Sequence, residues 1–337
     1  MKIPDNKVKW GILGCANIVR RRFMPGMSKA KNACVVAIAS REESKAKAFA
    51  DELGIPRAYG SYDRLLDDPE IEAVYIPLPN WLHAEWTIRA AAKGKHVLCE
   101  KPLATNEQEC RQMAEACRAG GVLLMEGFMY RFHPRTIKAK QIATSGMIGE
   151  VKVVRSGSSH VIRDMNNIRL GPGGGAIMDV GCYCVNAARY FFDAEPIAVY
   201  GRWRWDSEHN VDMTFAGLLE FPGDRFSIFD CSFEHSYRQG YELIGTGGAL
   251  TAQRGFVPGD AGIGLKVTRE SVHNMTVLAP PADQFALEID HFSDCIRNGK
   301  PVMLKPEIEA VANMRVIDAL KLSAKTGERV KLTLGIG

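Results

Sequence analysis

The chain has 337 residues, 46% apolar and 24% charged, with a net charge of +4. That length exceeds one ordinary core and suits two domains, and the composition is that of a soluble globular protein. Its small basic excess is interspersed with acidic residues, which gives no basis for a nucleic-acid or membrane partner.

From the N-terminus, Met1 to Lys9 is polar and carries no apolar signal core, and no later window is apolar enough to span a bilayer. Strand-like runs over Val8–Leu13, Cys34–Ser40, Ala73–Pro77 and His96–Cys99 then alternate with helical patterns over Asn17–Ser28, Ser44–Leu53 and His83–Lys93. A further helix over Asn106–Ala119 leads to the run Val122–Glu126. Such alternation predicts βαβ units and a parallel sheet, an α/β domain over residues 1–126. Arg20-Arg21-Arg22-Phe23 has the basic pair of a twin-arginine signal but no apolar run after it, so it reads as a helix face. The expected location is cytoplasmic.

The turn after the first strand reads Gly11-Ile-Leu-Gly14-Cys-Ala16-Asn17-Ile18-Val19. A glycine there lets the backbone turn tightly and brings a helix N-terminus to a pyrophosphate. Alanine and valine stand at 16 and 19, where the dinucleotide fingerprint has glycine. The second strand ends in Ser40 and Arg41, with Lys45 one turn later, in the place where NAD enzymes put an acid for the ribose hydroxyls. Arginine there suits a 2′-phosphate, which favours NADP(H) over NAD(H). Two prolines stiffen the turn Pro77-Leu78-Pro79-Asn80, where Asn80 is placed to cap the helix containing His83. Finally, Glu100-Lys101-Pro102 closes the His96–Cys99 run. Proline cannot continue a ladder, so the chain turns there with Lys101 held at the sheet's carboxyl edge.

After Glu126 the pattern changes. A helix over Arg135–Ser145 is followed by strands over Val151–Ser156, Ala198–Trp205, Thr214–Phe221, Phe226–Phe233, Tyr241–Thr246, Ala249–Arg254, Leu265–Arg269 and Met275–Leu278. Thr246-Gly247-Gly248 is a hairpin signal. Strands without helical crossovers predict a mainly antiparallel sheet in a second, α+β domain over 127–337, closed by helices near Asp283–Arg297 and Pro306–Thr326. One helical patch interrupts them, from Gly173 to Asn186, in which Asp179, Tyr183 and Asn186 recur at helical spacing. That spacing allows an acid–base pair, but on its own it favours a buried tyrosine whose hydroxyl is satisfied by a neighbouring aspartate. Cys182 and Cys184 flank Tyr183 too closely for a zinc pair, and the nine cysteines read as reduced core thiols with no metal site.

With Gly14, Glu100-Lys101-Pro102, Pro79-Asn80 with His83, and Asp179-x-Gly181-x-Tyr183-x-x-Asn186, the chain resembles the Gfo/Idh/MocA family (glucose–fructose oxidoreductase and inositol dehydrogenase) along essentially its whole length. Tyr183, where many members carry histidine, resembles the branch of NADP-dependent xylose dehydrogenases, dimeric dihydrodiol dehydrogenases and sugar ketoreductases. The resemblance implies a Rossmann domain holding NADP(H) through Gly14, Ala16, Asn17, Ile18, Ser40, Arg41, Lys45, Leu78, Pro79, Asn80, His83, Glu100 and Lys101. It implies Lys101 and Tyr183 as the catalytic pair with Asp179 beside them, Tyr183 moving the hydroxyl proton while hydride passes between nicotinamide and a sugar carbon. Glu100 is expected to support Lys101. Arg131 and Arg163 are assigned either to substrate or to ordinary ion pairs. The expected partner is a small sugar-like molecule, with a second copy or three more covering the open sheet face as a homodimer or homotetramer. A trans-dihydrodiol dehydrogenase, a nucleotide-sugar ketoreductase and a non-catalytic NADP(H) sensor stand as alternatives; an acid–base pair argues against the sensor.

Overall fold

The computed structural model describes residues 7–259, 262–269 and 273–332. Two compact units divide the chain: Met1–Met129 with Asp283–Val311, and Tyr130–Ala282 with Ala312–Gly337.

In the first unit β1 (Val8–Leu13), β2 (Ala33–Ala39), β3 (Arg57–Tyr59), β4 (Ala73–Ile76), β5 (His96–Glu100) and β6 (Leu124–Gly127) form one sheet in the order β3-β2-β1-β4-β5-β6. Every pairing is parallel. The strands are continuously apolar because helices cover both faces; Val8, Trp10, Ile12, Val74, Val97 and Leu98 are fully buried. The chain order reverses between β1 and β4, and such a sheet opens a ligand crevice beyond the carboxyl ends of those strands. β3 is too short to show a period in the sequence.

The connecting helices are α1 (Met24–Lys29), α2 (Glu43–Leu53), α3 (Tyr62–Leu66), α4 (Asn80–Ala92) and α5 (Glu107–Ala119). The continuous helix expected over Asn17–Ser28 is instead a π-helical turn, Val19–Phe23, running into α1. Pro25 has no N–H to return to the preceding turn, and the wider turn absorbs the loss: the Met24 N–H reaches back to the Val19 carbonyl. α4 starts at Asn80, not near His83, with Pro79 in the capping position and no side-chain cap, so the expected capping role of Asn80 is not the one it has. At α5 the rule holds, since the Glu109 N–H donates to Asn106 Oδ1 at 2.9 Å.

The second unit opens with α6 (Pro134–Thr144) and is built on a nine-stranded sheet. Its strands are β7 (Val151–Ser159), β8 (Ala198–Asp206), β9 (Val211–Phe221), β10 (Arg225–Ser232), β11 (Arg238–Gly245), β12 (Gly248–Gln253), β13 (Leu265–Arg269), β14 (His273–Val277) and β15 (Val330–Lys331). Their order is β14-β13-β12-β11-β7-β10-β9-β8-β15, antiparallel except where β7 and β10 run parallel. The expected hairpin joins β11 to β12, with Gly245 opposite Gly248. Along β10 the pleat alternates: Phe226 and Ile228 point outward while Ser227, Phe229 and Cys231 are buried. α7 (Cys182–Phe192) lies against the inner face, ten of its eleven residues buried.

A single division after residue 126 follows the change of pattern in the sequence, but α8 (Gln284–Asn298) brings the chain back to the first unit before α9 (Glu309–Thr326). The Trp10 indole donates to Ser293 Oγ at 3.2 Å and packs on Phe292 at 5.5 Å. Gly26 lets α1 and α8 touch, since a Cβ there would lie 2.7 Å from Phe285 Cβ. α8 also buries Glu288, whose Oε1 has no hydrogen-bond partner among the described residues. Burial, and then the nearby Glu100, push its carboxyl well above the usual range. The folded protein therefore holds that proton more tightly than the unfolded chain, and the stability gained is intact below the unfolded value of about 4.3 and lost as pH rises. Glu288→Gln keeps the shape without the ionisation. Melting temperatures taken from about pH 5 to about pH 9 should fall less in this variant than in the wild type.

Candidate functional site

At the end of β1 the Gly14 N–H donates to the Ala39 carbonyl at 2.9 Å, tying this turn to the end of β2. Gly14 has φ +114°, and a Cβ there would stand 2.8 Å from Leu78 Cδ2, so only glycine fits. Beyond it Ala16 and Ile18 are half-buried, Asn17 is exposed and Val19 is fully buried, packed as a core residue. The Cys15 thiol is pushed up by burial, against the pull of Lys45, a hydrogen bond with Ser40, and Arg20. Ser40 is buried, its Oγ accepting the Glu42 N–H at 3.3 Å. Arg41 is exposed and has no ion pair among the described residues. Its charge reaches Tyr62, whose phenol is raised mainly by burial and lowered by Arg41. The Tyr62 hydroxyl lies 4.0 Å from where a Gly14 Cβ would be. Thus Gly14, Cys15, Ser40, Arg41, Lys45 and Tyr62 share one edge of the sheet. Tyr62 escapes a reading of the sequence because α3 is a single short helix.

The ends of β4 and β5 are held from beneath. His83, fully buried, sets one ring nitrogen 3.0 Å from the Pro102 carbonyl and the other 2.8 Å from that of Leu78. Burial holds its pKa down. A neutral ring has one N–H and donates to one of these carbonyls, so His83 is wedged between the Leu78 turn and the Glu100-Lys101-Pro102 turn. Glu100 accepts the Tyr75 hydroxyl at 2.6 Å on Oε1 and the Lys101 N–H at 3.3 Å on Oε2. On the far side the Leu103 N–H donates to Glu126 Oε1 at 2.8 Å. Two buried carboxylates therefore flank the backbone that carries half-buried Lys101. Glu100 thus reaches Lys101 at its main-chain N–H.

In the second unit Asp179 lies in a π-helical turn, Ile177–Gly181, that runs into α7 with Tyr183 and Asn186. Its Oδ2 accepts Arg169 Nε at 2.8 Å. Tyr183 is 7% exposed, its ring 5.2 Å from Phe256 and 5.9 Å from Tyr130. Asn186 is buried, and its Oδ1 accepts the Tyr130 hydroxyl at 2.5 Å and Arg131 Nη1 at 3.3 Å. Arg131 is itself buried, its guanidinium 3.8 Å over the Tyr190 ring. That contact gives it a packing role within this unit. Arg163 is exposed, in the segment after β7. Two residues that spacing did not suggest complete the picture: Arg169, and Asp212 on β9, which accepts the Ile177 N–H at 2.7 Å. Burial raises the Asp212 carboxyl to about 7, against the pull of the Ile177 N–H and Lys321. A charged residue at an inward strand position was the available signal for Asp212; Arg169 offered none.

Among the described residues no group of side chains is arranged to hold a metal, and no helix is long and apolar enough to cross a membrane. Residues 8–128 match the Gfo/Idh/MocA oxidoreductase family with its NAD-binding Rossmann fold, and residues 136–251 match that family's C-terminal domain. The chain is 40% identical over 326 residues to D-xylose 1-dehydrogenase (NADP(+)) 2 of Haloferax volcanii, covering 96% of this chain and 99% of that protein. Among solved structures it is similar to aldose-aldose oxidoreductase from Caulobacter crescentus complexed with glycerol, with a TM-score of 0.90 at 30% identity over 97% of this chain and 100% of that one. A 3-ketoreductase from Actinomadura kijaniata in complex with NADP and TDP-benzene gives a TM-score of 0.90 at 31% identity, over 94% and 98%. The chain belongs to the Gfo/Idh/MocA oxidoreductase family.

Proposed function

We propose that this protein is an NADP(H)-dependent oxidoreductase that interconverts a hydroxyl and a carbonyl on a sugar, with an aldose as its first candidate substrate. The observation that carries the cofactor choice is the end of β2: buried Ser40 followed by exposed Arg41, which has no ion pair among the described residues, where an NAD site would hold an acid. Gly14 fits the same reading, because its φ of +114° makes the tight turn after β1, with Leu78 packed where a Cβ would stand. Ser40, Arg41 and Lys45 would hold the 2′-phosphate, and the turns at Gly14–Ile18 and Leu78–Asn80 the rest of the dinucleotide. His83 and Glu100 serve that site by fixing the turns. Identity of 40% to an NADP-dependent xylose dehydrogenase supports the aldose.

When bound, the nicotinamide supplies or takes the hydride. The chain's own work is with the proton and the oxygen. Tyr183 takes the hydroxyl proton in oxidation and returns it in reduction. An ordinary phenol, with a pKa of about 10, is a poor base near neutrality, and a neighbouring cation favours its ionised form, the part the family resemblance gives to Lys101. Lys101 also hydrogen-bonds the substrate oxygen as charge develops there. Asp179, steadied by Arg169, orients the substrate. Outward-facing Phe226 and Ile228 support the expected homodimer or homotetramer.

Fluorescence titration with NADPH and NADH, followed by a panel of aldoses, keto-sugars and dihydrodiols, tests the proposal. Arg41→Ala should weaken NADPH binding about 10- to 100-fold, the worth of one or two charge-assisted hydrogen bonds, and leave NADH little changed. Tyr183→Phe should lower kcat by about 10²- to 10⁴-fold while NADPH still binds. Equal binding of both nucleotides by wild type and Arg41→Ala would overturn the cofactor choice. Turnover of dihydrodiols alone would overturn the sugar.

A further inference from the structure

The helix that carries Asp179 and Tyr183 begins without any cap of its own. Ala176 occupies the capping position with no side-chain hydrogen bond, and Gly173, Gly174 and Gly175 before it have no side chains to offer. The orphan N–H groups of a first turn need acceptors. Here the acceptor comes from 35 residues away, as Asp212 Oδ2 takes the Ile177 N–H at 2.7 Å, in a site where the aspartate is only 2% exposed. Burying a carboxylate is costly, and an asparagine or serine within the loop would cap the turn at less expense.

Asp212 does more than accept one hydrogen bond. Gly175 has φ +105°, and a Cβ there would lie 2.1 Å from Asp212 Oδ1, so the turn is seated directly on the carboxylate. On the neighbouring strand β10, a Cβ at Gly181 would lie 2.8 Å from Cys231 Sγ, which seats the other end of the π-helical turn. The Arg169 carbonyl accepts the Gly175 N–H at 2.9 Å while its guanidinium holds Asp179 at 2.8 Å. Asp212 therefore anchors from the sheet side the same short segment that Arg169 clamps through its backbone and side chain. Lys321 of α9 and Cys231 of β10 are the other titratable groups whose charge Asp212 feels or perturbs.

We propose that Asp212 is a positioning residue, fixing the rotation and height of the helix start so that Asp179 and Tyr183 present their side chains in register for the reaction. This rests on the reading of Tyr183 as the acid–base group. The test compares wild type, Asp212→Asn, Asp212→Ala and Tyr183→Phe. Asp212→Asn keeps the volume but leaves one accepting oxygen and no charge, so it decides the matter if Asp212→Ala does not fold. In Asp212→Asn, kcat should fall about 10- to 100-fold, the scale of a small misplacement of a reacting group, while the sugar KM and NADPH affinity stay within about twofold. Amide exchange across residues 176–183 should quicken, with no change across β1–β6. Two results overturn the proposal: wild-type kcat in Asp212→Asn, whatever the exchange, or a joint loss of kcat, KM, nucleotide binding and melting temperature. Full activity in Tyr183→Phe instead overturns the acid–base assignment itself, whatever the Asp212 variants do.

Discussion

At the carboxyl edge of a parallel sheet the backbone loses its ladder partners within one residue, while its surroundings remain dry. Each freed N–H and C=O must then find an acceptor or donor among side chains, or the turn is not worth forming. The first unit meets this with three buried polar residues. His83 lies between the carbonyls of Leu78 and Pro102 and donates to one of them, Glu100 takes the Lys101 N–H, and Glu126 takes that of Leu103. These ties hold the turn around Lys101 by its main chain.

The second unit solves a related problem by opposite means. A helix start, not a strand end, leaves the orphan groups, and the acceptor is a single carboxylate on a neighbouring strand. Space there is controlled by glycine: Gly175 and Gly181 each leave room that a side-chain carbon would close. Below the helix the aromatic floor of Tyr130 and Phe256 fixes the plane of Tyr183, and Asn186 fixes Tyr130 in turn. Chains of contact of this kind allow little slack, so shape errors at one member are felt at the next.

The features legible in the sequence were those encoded locally. Continuous apolar runs announced the parallel strands, Gly14 its turn, Ser40 and Arg41 the character of the β2 end, and Thr246-Gly247-Gly248 the hairpin. Features that depend on direction or distance were not legible. Histidine at 83 is visible as a residue type, but that it points into the protein and holds two turns follows only from packing. From the sequence Arg131 could face substrate or form an ion pair; that it lies over Tyr190 and donates to Asn186 follows only from packing. Asp212 lies 35 residues from the N–H it accepts, and Arg169 ten from its carboxylate. Three residues make β3, too few for any period. The helical period of α8 is plain; which surface it covers is not.

The packing of α8 on the first unit limits how the protein can be divided. Trp10 relies on Ser293 and Phe292, the N–H groups of Lys31 and Asn32 on Asp290, and Glu72 on Arg297. The nucleotide-binding unit is thus one object made of two stretches of chain separated by more than a hundred residues. Expressed only as its amino-terminal stretch, it would present β1 and α1 with their apolar flank bare. Anyone wishing to graft this unit onto a different partner would need to keep 283–311 together with 1–129, so that the fragment carries its own cover.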